Sequence, residues 1–138
     1  MTILYTAAVT AKGGREGRVK SADGMLDIAL SLPKSMGGPG GAGSNPEQLF
    51  AAGYSACFES ALALVARRRK LILNDMSLTA HVSLNKGDDG QFDLAVELHG
   101  VFPGIARPDA ETLMQEAHQV CPYSRATRGN IQVKLMVD

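Results

Sequence analysis

Tryptophan is absent from this chain, and aromatic residues make up only 5% of it. That leaves little material for the stacking platforms that hold bases or sugars. An excess of one charge sign is missing too: 14 Lys and Arg balance 14 Asp and Glu, so no broad field draws nucleic acid or an anionic membrane. From Met1 to Gly17 there is neither a basic n-region nor an uninterrupted apolar h-region, so no secretory signal is read and the expected compartment is the reducing cytoplasm. The one long apolar stretch, Leu49 to Ala66, is rich in Ala and Gly and carries Ser55, Glu59 and Ser60. It reads as a buried helix rather than a membrane span. His81, His99 and His118 show no ligand spacing beyond that of His118 to Cys121, and neither a metal nor another cofactor is expected. Cysteine is scarce, with two in all. In a cytosolic chain of this size such a pair is more often catalytic or redox-active than a structural staple.

The 138 residues suit one domain, 1–138, that buries roughly two thirds of the surface of its unfolded form. Ile3 to Thr10 is rich in small, β-branched and aromatic residues, and Gly13-Gly14 breaks the run before a second extended segment through Val19. Asp23-Gly24 is a turn signal, followed by alternation in which Leu26, Ile28, Leu30 and Leu32 share a face. The glycine-rich loop between Pro33 and Asn45 permits close approach of another backbone. It lacks the Lys-Ser or Lys-Thr of a phosphate-binding loop and ends instead in a helix start, Ser44-Asn45-Pro46-Glu47. A helix is expected from about Pro46 to Lys70, apolar on nearly every face, which calls for cover by sheet, by another helix or by a second copy of the chain. Ser77 to Asn85 and Phe92 to Leu98 read as a hairpin, Pro108 to Val120 as a helix and Ile131 to Val137 as a closing strand. The expected order is βββ-α-ββ-α-β, an α+β fold.

Cys57 sits among small neighbours, Ala51-Ala52-Gly53-Tyr54-Ser55-Ala56. A lone cysteine on an apolar helix is ordinarily an inert core residue, its thiol pKa raised by burial. Cys121 is followed by Pro122 at what looks like a helical turn, where orphan amide N–H groups stabilise a thiolate. If the two sulfurs meet, a sulfenic acid formed on one can be captured by the other before it oxidises further.

Three segments carry a resemblance that covers essentially the whole chain: Thr10 to Arg18 (TAKGGREGR), Gly37 to Phe58 (GGPGGAGSNPEQLFAAGYSACF) and His118 to Asn130 (HQVCPYSRATRGN). With these the sequence resembles the organic hydroperoxide resistance branch of the OsmC superfamily. The resemblance implies antiparallel sheets wrapped around a long central helix, in an intertwined homodimer with active sites near the subunit interface. It implies a thiol peroxidase acting on organic hydroperoxides, in which Cys57 attacks the peroxide, Cys121 resolves the sulfenic acid, Arg15 and Glu47 activate the attacking thiol, and a dithiol such as a lipoylated protein reduces the disulfide. Neither nucleic acid nor a membrane is an expected partner. Arg125 departs from the small amide expected in many relatives, which bears on partner docking or on the mobility of that loop.

Physical chemistry fits these roles. A guanidinium within reach lowers a thiol pKa and polarises a peroxide oxygen, and a carboxylate orients it by a bidentate pair. Taken without the resemblance, Arg15 is a solvated hairpin cation and Glu47 closes a capping box with Ser44. Glu47 and Cys57 lie ten positions apart, about 15 Å of rise on a straight helix. Either the helix is interrupted near Gly53, or Arg15 and Glu47 serve the Cys57 of the other subunit. An apolar pocket around Ala56, Phe58 and the glycine-rich loop is expected to favour alkyl or lipid hydroperoxides. Two other readings remain open: a redox sensor or ligand-binding protein that forms its disulfide once, and a cysteine acyl hydrolase using His118.

Overall fold

The computed structural model describes residues 1–138. The backbone clusters into two compact units, Met1–Leu49 and Phe50–Asp138. In the first unit, β1 (Val9–Lys12), β2 (Arg18–Ser21) and β3 (Asp27–Ala29) form an antiparallel meander in that order, with Ala11 opposite Val19 and Val19 opposite Ile28. The β1–β2 connection is a tight helical turn, Gly14–Glu16, that carries Arg15. Only glycine fits at its exit, since a Cβ on Gly17 would lie 1.7 Å from the Lys12 carbonyl oxygen. The β-prone run that starts at Ile3 pairs only from Val9 onward, and Ile3, Leu4 and Tyr5 are fully exposed. After β3 the chain makes a single bridge, Leu30 to Ser44. The glycine-rich loop folds back on this point: Gly43 N–H donates to Ser31 Oγ, and a Cβ on Gly43 would lie 2.4 Å from the Ser31 nitrogen.

One helix, α1 (Pro46–Arg68), begins in the first unit and runs on through the second without a break at Gly53. Asn45 is its cap, accepting the Gln48 amide through Oδ1 at 2.8 Å, with Pro46 in the first turn. The expected capping box from Ser44 to Glu47 is therefore not used; Ser44 Oγ donates to the Gln48 side chain instead. Within the single chain α1 is covered on one face only. Tyr54, Phe58, Ala61, Leu62, Val65 and Ala66 are buried, whereas Ala52, Ala56, Glu59, Ser60, Ala63 and Arg67 form an exposed face. In composition α1 is apolar enough to cross a membrane, with a mean hydropathy of 1.5, but its covered face is that of a core helix.

In the second unit β4 (Ser77–Lys86) and β5 (Phe92–Val101) make the expected antiparallel hairpin. The helices α2 (Arg107–Val120) and α3 (Pro122–Thr127) then lead to β6 (Gln132–Val137), which pairs with β5 in parallel, Val133 opposite Val96 and Leu135 opposite Leu98. Antiparallel pairing thus holds in the first sheet and in the hairpin but not for β6. The cause is the helical crossover, which returns the chain to the starting end of β5 before it re-enters the sheet. Val96 and Leu98 of the sheet pack with Tyr54, Phe58 and Leu62 of α1 and with Leu113, Met114 and Ala117 of α2. Each fully buried Leu among them contributes on the order of 1.5–3 kcal/mol. This core supports Cys121, which is itself fully buried at the α2–α3 junction.

Candidate active site

Arg15 and Glu47 meet within the first unit as a two-pronged ion pair. Arg15 Nη1 donates to Glu47 Oε2 and Nη2 to Oε1, both at 2.7 Å. Glu47 is free for this because Asn45 already caps α1. The fork geometry fixes the plane of the guanidinium as well as its position. Hydrogen bonding from Arg15 holds the Glu47 carboxyl below the usual carboxylate range, and the same bond raises Arg15 further. The carboxylate is the more enclosed partner, its side chain 15% exposed against 36% for Arg15. The exposed part of the guanidinium can still meet another group.

Cys57 and Cys121 meet within the second unit. Their Sγ atoms are 3.4 Å apart, with the Cys121 thiol donating, and neither is in a disulfide. Cys57 lies on α1, half-buried, and Cys121 is the residue between α2 and α3. Burial pushes the Cys57 thiol up from its ordinary value. The Tyr123 backbone N–H pulls the other way, and Cys121 adds to the rise, because ionising one of two adjacent sulfurs disfavours ionising the other. The sequence reading considered such amides only for Cys121 and did not anticipate this influence on Cys57.

Phe58 is fully buried against the Tyr54 and His118 rings. It is a core residue and does not line the pocket expected beside Ala56, which is exposed. The Tyr123 ring lies over Gly53, where an added Cβ would come within 3.0 Å of the Tyr123 hydroxyl. Arg125 is exposed on α3, its amide bonded to the Cys121 carbonyl. His118 Nδ1 meets Ser124 Oγ at 2.8 Å rather than a sulfur, so no cysteine–histidine dyad is formed through that nitrogen.

Behind Cys121 lies a group the sequence reading missed. Tyr54 OH contacts Ser124 Oγ at 2.8 Å and Thr127 Oγ1 at 3.2 Å, and all three residues are buried. Ser124 and Thr127 are one turn apart on α3, and Tyr54 and Cys57 are one turn apart on α1. A tyrosine and two hydroxyl residues in the segments that flank the cysteines were the available signal.

Comparison with known proteins identifies the family to which this α+β fold and its pair of thiols in contact belong. The OsmC-like protein family matches residues 38–136. An organic hydroperoxide resistance protein of Xanthomonas axonopodis pv. citri (strain 306) is 52% identical over 134 residues, which is 96% of this chain and 94% of that protein. Crystal structures of organic hydroperoxide resistance proteins from Elizabethkingia anophelis and Legionella pneumophila superpose with a TM-score of 0.92 each. They are 51% and 49% identical, the first covering 100% of this chain and 99% of its own, the second 99% of both. The chain belongs to the OsmC-like family, in its organic hydroperoxide resistance branch.

Proposed function

We propose that this protein reduces organic hydroperoxides to alcohols by thiol chemistry, giving resistance to them, and that Cys57 and Cys121 are its redox pair. The observation that carries the reading is the 3.4 Å contact between the two sulfurs, and the names of the relatives supply the substrate class. The Cys57 thiolate attacks the distal oxygen of the hydroperoxide. The O–O bond breaks, an S–O bond forms, and the alkoxide takes a proton to leave as alcohol, so that sulfur is oxidised by two electrons. Cys121 then attacks the sulfenic sulfur. The S–S bond forms as the S–O bond breaks, and hydroxide leaves with a proton as water. A dithiol, such as that of a lipoylated protein, returns the two electrons by exchange. A reducing cytoplasm suits this cycle, since it keeps the thiols reduced between turnovers.

The attacking thiol must ionise, and burial opposes this. Arg15, held flat by Glu47, is the cation we assign to Cys57, lowering its pKa and polarising the peroxide. The unbroken α1 favours supply from a partner subunit, in an intertwined homodimer where the 138 residues act as one domain. The exposed Ala52, Ala56, Ser60 and Ala63 face of α1 and the exposed Ile3, Leu4 and Tyr5 support such a dimer, being apolar or small surfaces suited to a second copy.

Mass spectrometry after one equivalent of tert-butyl hydroperoxide tests the redox pair: a peptide bridge from Cys57 to Cys121 is expected, and an unbridged product oxidised at another residue refutes it. A heterodimer of one Cys57→Ser chain and one Arg15→Ala chain tests the arrangement. One live site is expected, and two dead sites rule out supply in trans.

A further inference from the structure

The buried polar contacts around Cys121 have a single consistent direction. Thr127 Oγ1 donates to the Ser124 carbonyl at 3.1 Å, which uses the only hydroxyl proton Thr127 has. In the 3.2 Å contact between Tyr54 and Thr127, Tyr54 is therefore the donor. With its own proton spent, Tyr54 must accept from Ser124 in their 2.8 Å contact. Ser124 is then left without a proton for His118, so the 2.8 Å contact there is His118 Nδ1–H donating to Ser124 Oγ. The result is a one-way chain, His118 to Ser124 to Tyr54 to Thr127 to the Ser124 carbonyl, in which each bond polarises the next. Neutral His118 must then be the Nδ1–H tautomer.

Position gives this chain its role. Tyr54 precedes Cys57 by one turn on α1, and Ser124 follows Cys121 by one turn on α3. The Tyr54–Ser124 bond and the Cys57–Cys121 contact are thus adjacent rungs between the same two segments, 2.8 Å across for the oxygens and 3.4 Å for the sulfurs. His118, on the last turn of α2, and Thr127, on the last turn of α3, hold the polar rung from either side.

We propose that Tyr54, Ser124 and the Nδ1–H tautomer of His118 are positioning residues that hold Cys121 against Cys57, and so set how often the Cys57 sulfenic acid closes to the disulfide rather than oxidising further. This rests on the peroxidase reading. The competing step consumes a second hydroperoxide, which oxidises the sulfenic acid to sulfinic acid and leaves as alcohol. The polar atoms of these groups bond to one another, to Thr127 and to a backbone carbonyl, and to neither sulfur. Their effect acts through the place of Cys121.

The test is the ratio of sulfinic acid to disulfide at Cys57, measured by mass spectrometry at a fixed excess of tert-butyl hydroperoxide. Two replacements of His118 distinguish positioning from general packing. In His118→Asn the amide nitrogen replaces Nδ1 and keeps the donor to Ser124, whereas in His118→Gln the amide replaces Nε2 and loses it. His118→Asn is expected to match the parent. His118→Gln and Tyr54→Phe are expected to raise the ratio about tenfold, the scale of one buried hydrogen bond lost. Equal ratios in the Asn and Gln variants overturn the inference. Should a variant fail to fold, long-range proton–nitrogen NMR of the parent serves in its place: protonated Nδ1 is expected for neutral His118, and an Nε2–H tautomer sinks the chain. A parent that forms no bridge refutes the peroxidase reading and this inference together. A parent that bridges while all variants share its ratio refutes the inference alone.

Discussion

Oxidising the protein with one equivalent of an organic hydroperoxide should make it markedly harder to unfold. The sulfurs stand 3.4 Å apart and 64 positions apart in the chain. Closing them to the ~2.05 Å of a disulfide takes about 1.4 Å of approach, which side-chain rotation and a slight shift at the α2–α3 junction can supply. Little native packing is then spent in forming the bond. A cross-link closing a loop of this length lowers the entropy of the unfolded chain by about 14 cal/mol/K, roughly 4 kcal/mol at 25 °C. For a domain of this size that corresponds to a rise in Tm of roughly 10–15 °C. The assay is thermal unfolding of the reduced and oxidised protein at one protein concentration, since any self-association makes Tm depend on concentration. Cys57→Ser and Cys121→Ser should show no such rise. An oxidised protein that carries the Cys57–Cys121 bridge yet melts at or below the reduced form would refute the claim that these sulfurs already stand in bonding position.

Arg15→Ala should move the pH midpoint of Cys57 alkylation upward, because burial and Cys121 then act with only the Tyr123 amide against them; an unchanged midpoint excludes Arg15 as the activating cation. His99 and His118 should titrate on opposite sides of the ordinary histidine value. Glu97 and Asp138, each 3.0 Å from a His99 ring nitrogen, raise His99, while burial and then Arg128 lower His118. For a raised histidine the stabilisation is full below the ordinary value and is lost as pH rises through the folded-state value. Glu97→Gln should therefore bring the NMR titration of His99 down and weaken that dependence, and a His99 midpoint below that of His118 contradicts the pairing. Gly43→Ala should destabilise the fold by about 1–3 kcal/mol in chemical denaturation, since its Cβ would lie 2.4 Å from the Ser31 nitrogen. A neutral result there shows that the loop can move off β3.

How far the sequence was readable follows from what its patterns encode. Period-two alternation marked β4 and β5 because one face of each is more enclosed than the other. The start of α1 was legible in Asn45-Pro46, although which of Ser44 and Asn45 does the capping depends on side-chain geometry. The direction of β6 was not legible, since alternation is the same for parallel and antiparallel strands and only the α2–α3 crossover sets it. Nor does a β-prone run reveal whether it has a partner, and the run from Ile3 to Ala7 lies outside the ladder that begins with Val9 opposite Ser21. At the site, Arg15 with Glu47 and Cys57 with Cys121 were expected as pairs from the family resemblance, and the structure adds their geometry: a fork at 2.7 Å and a sulfur contact at 3.4 Å. The Tyr54–Ser124–Thr127 group and the Tyr123 amide escaped notice because they depend on contacts across about 70 positions, for which no local spacing is diagnostic.

Steady-state consumption of tert-butyl hydroperoxide in the presence of excess dihydrolipoamide measures turnover directly. Many equivalents should be consumed per protein chain, with Cys57→Ser consuming none above the rate of the dithiol alone. Consumption that stops at one equivalent per chain, with the dithiol still in excess, would contradict it and leave a protein that only records peroxide.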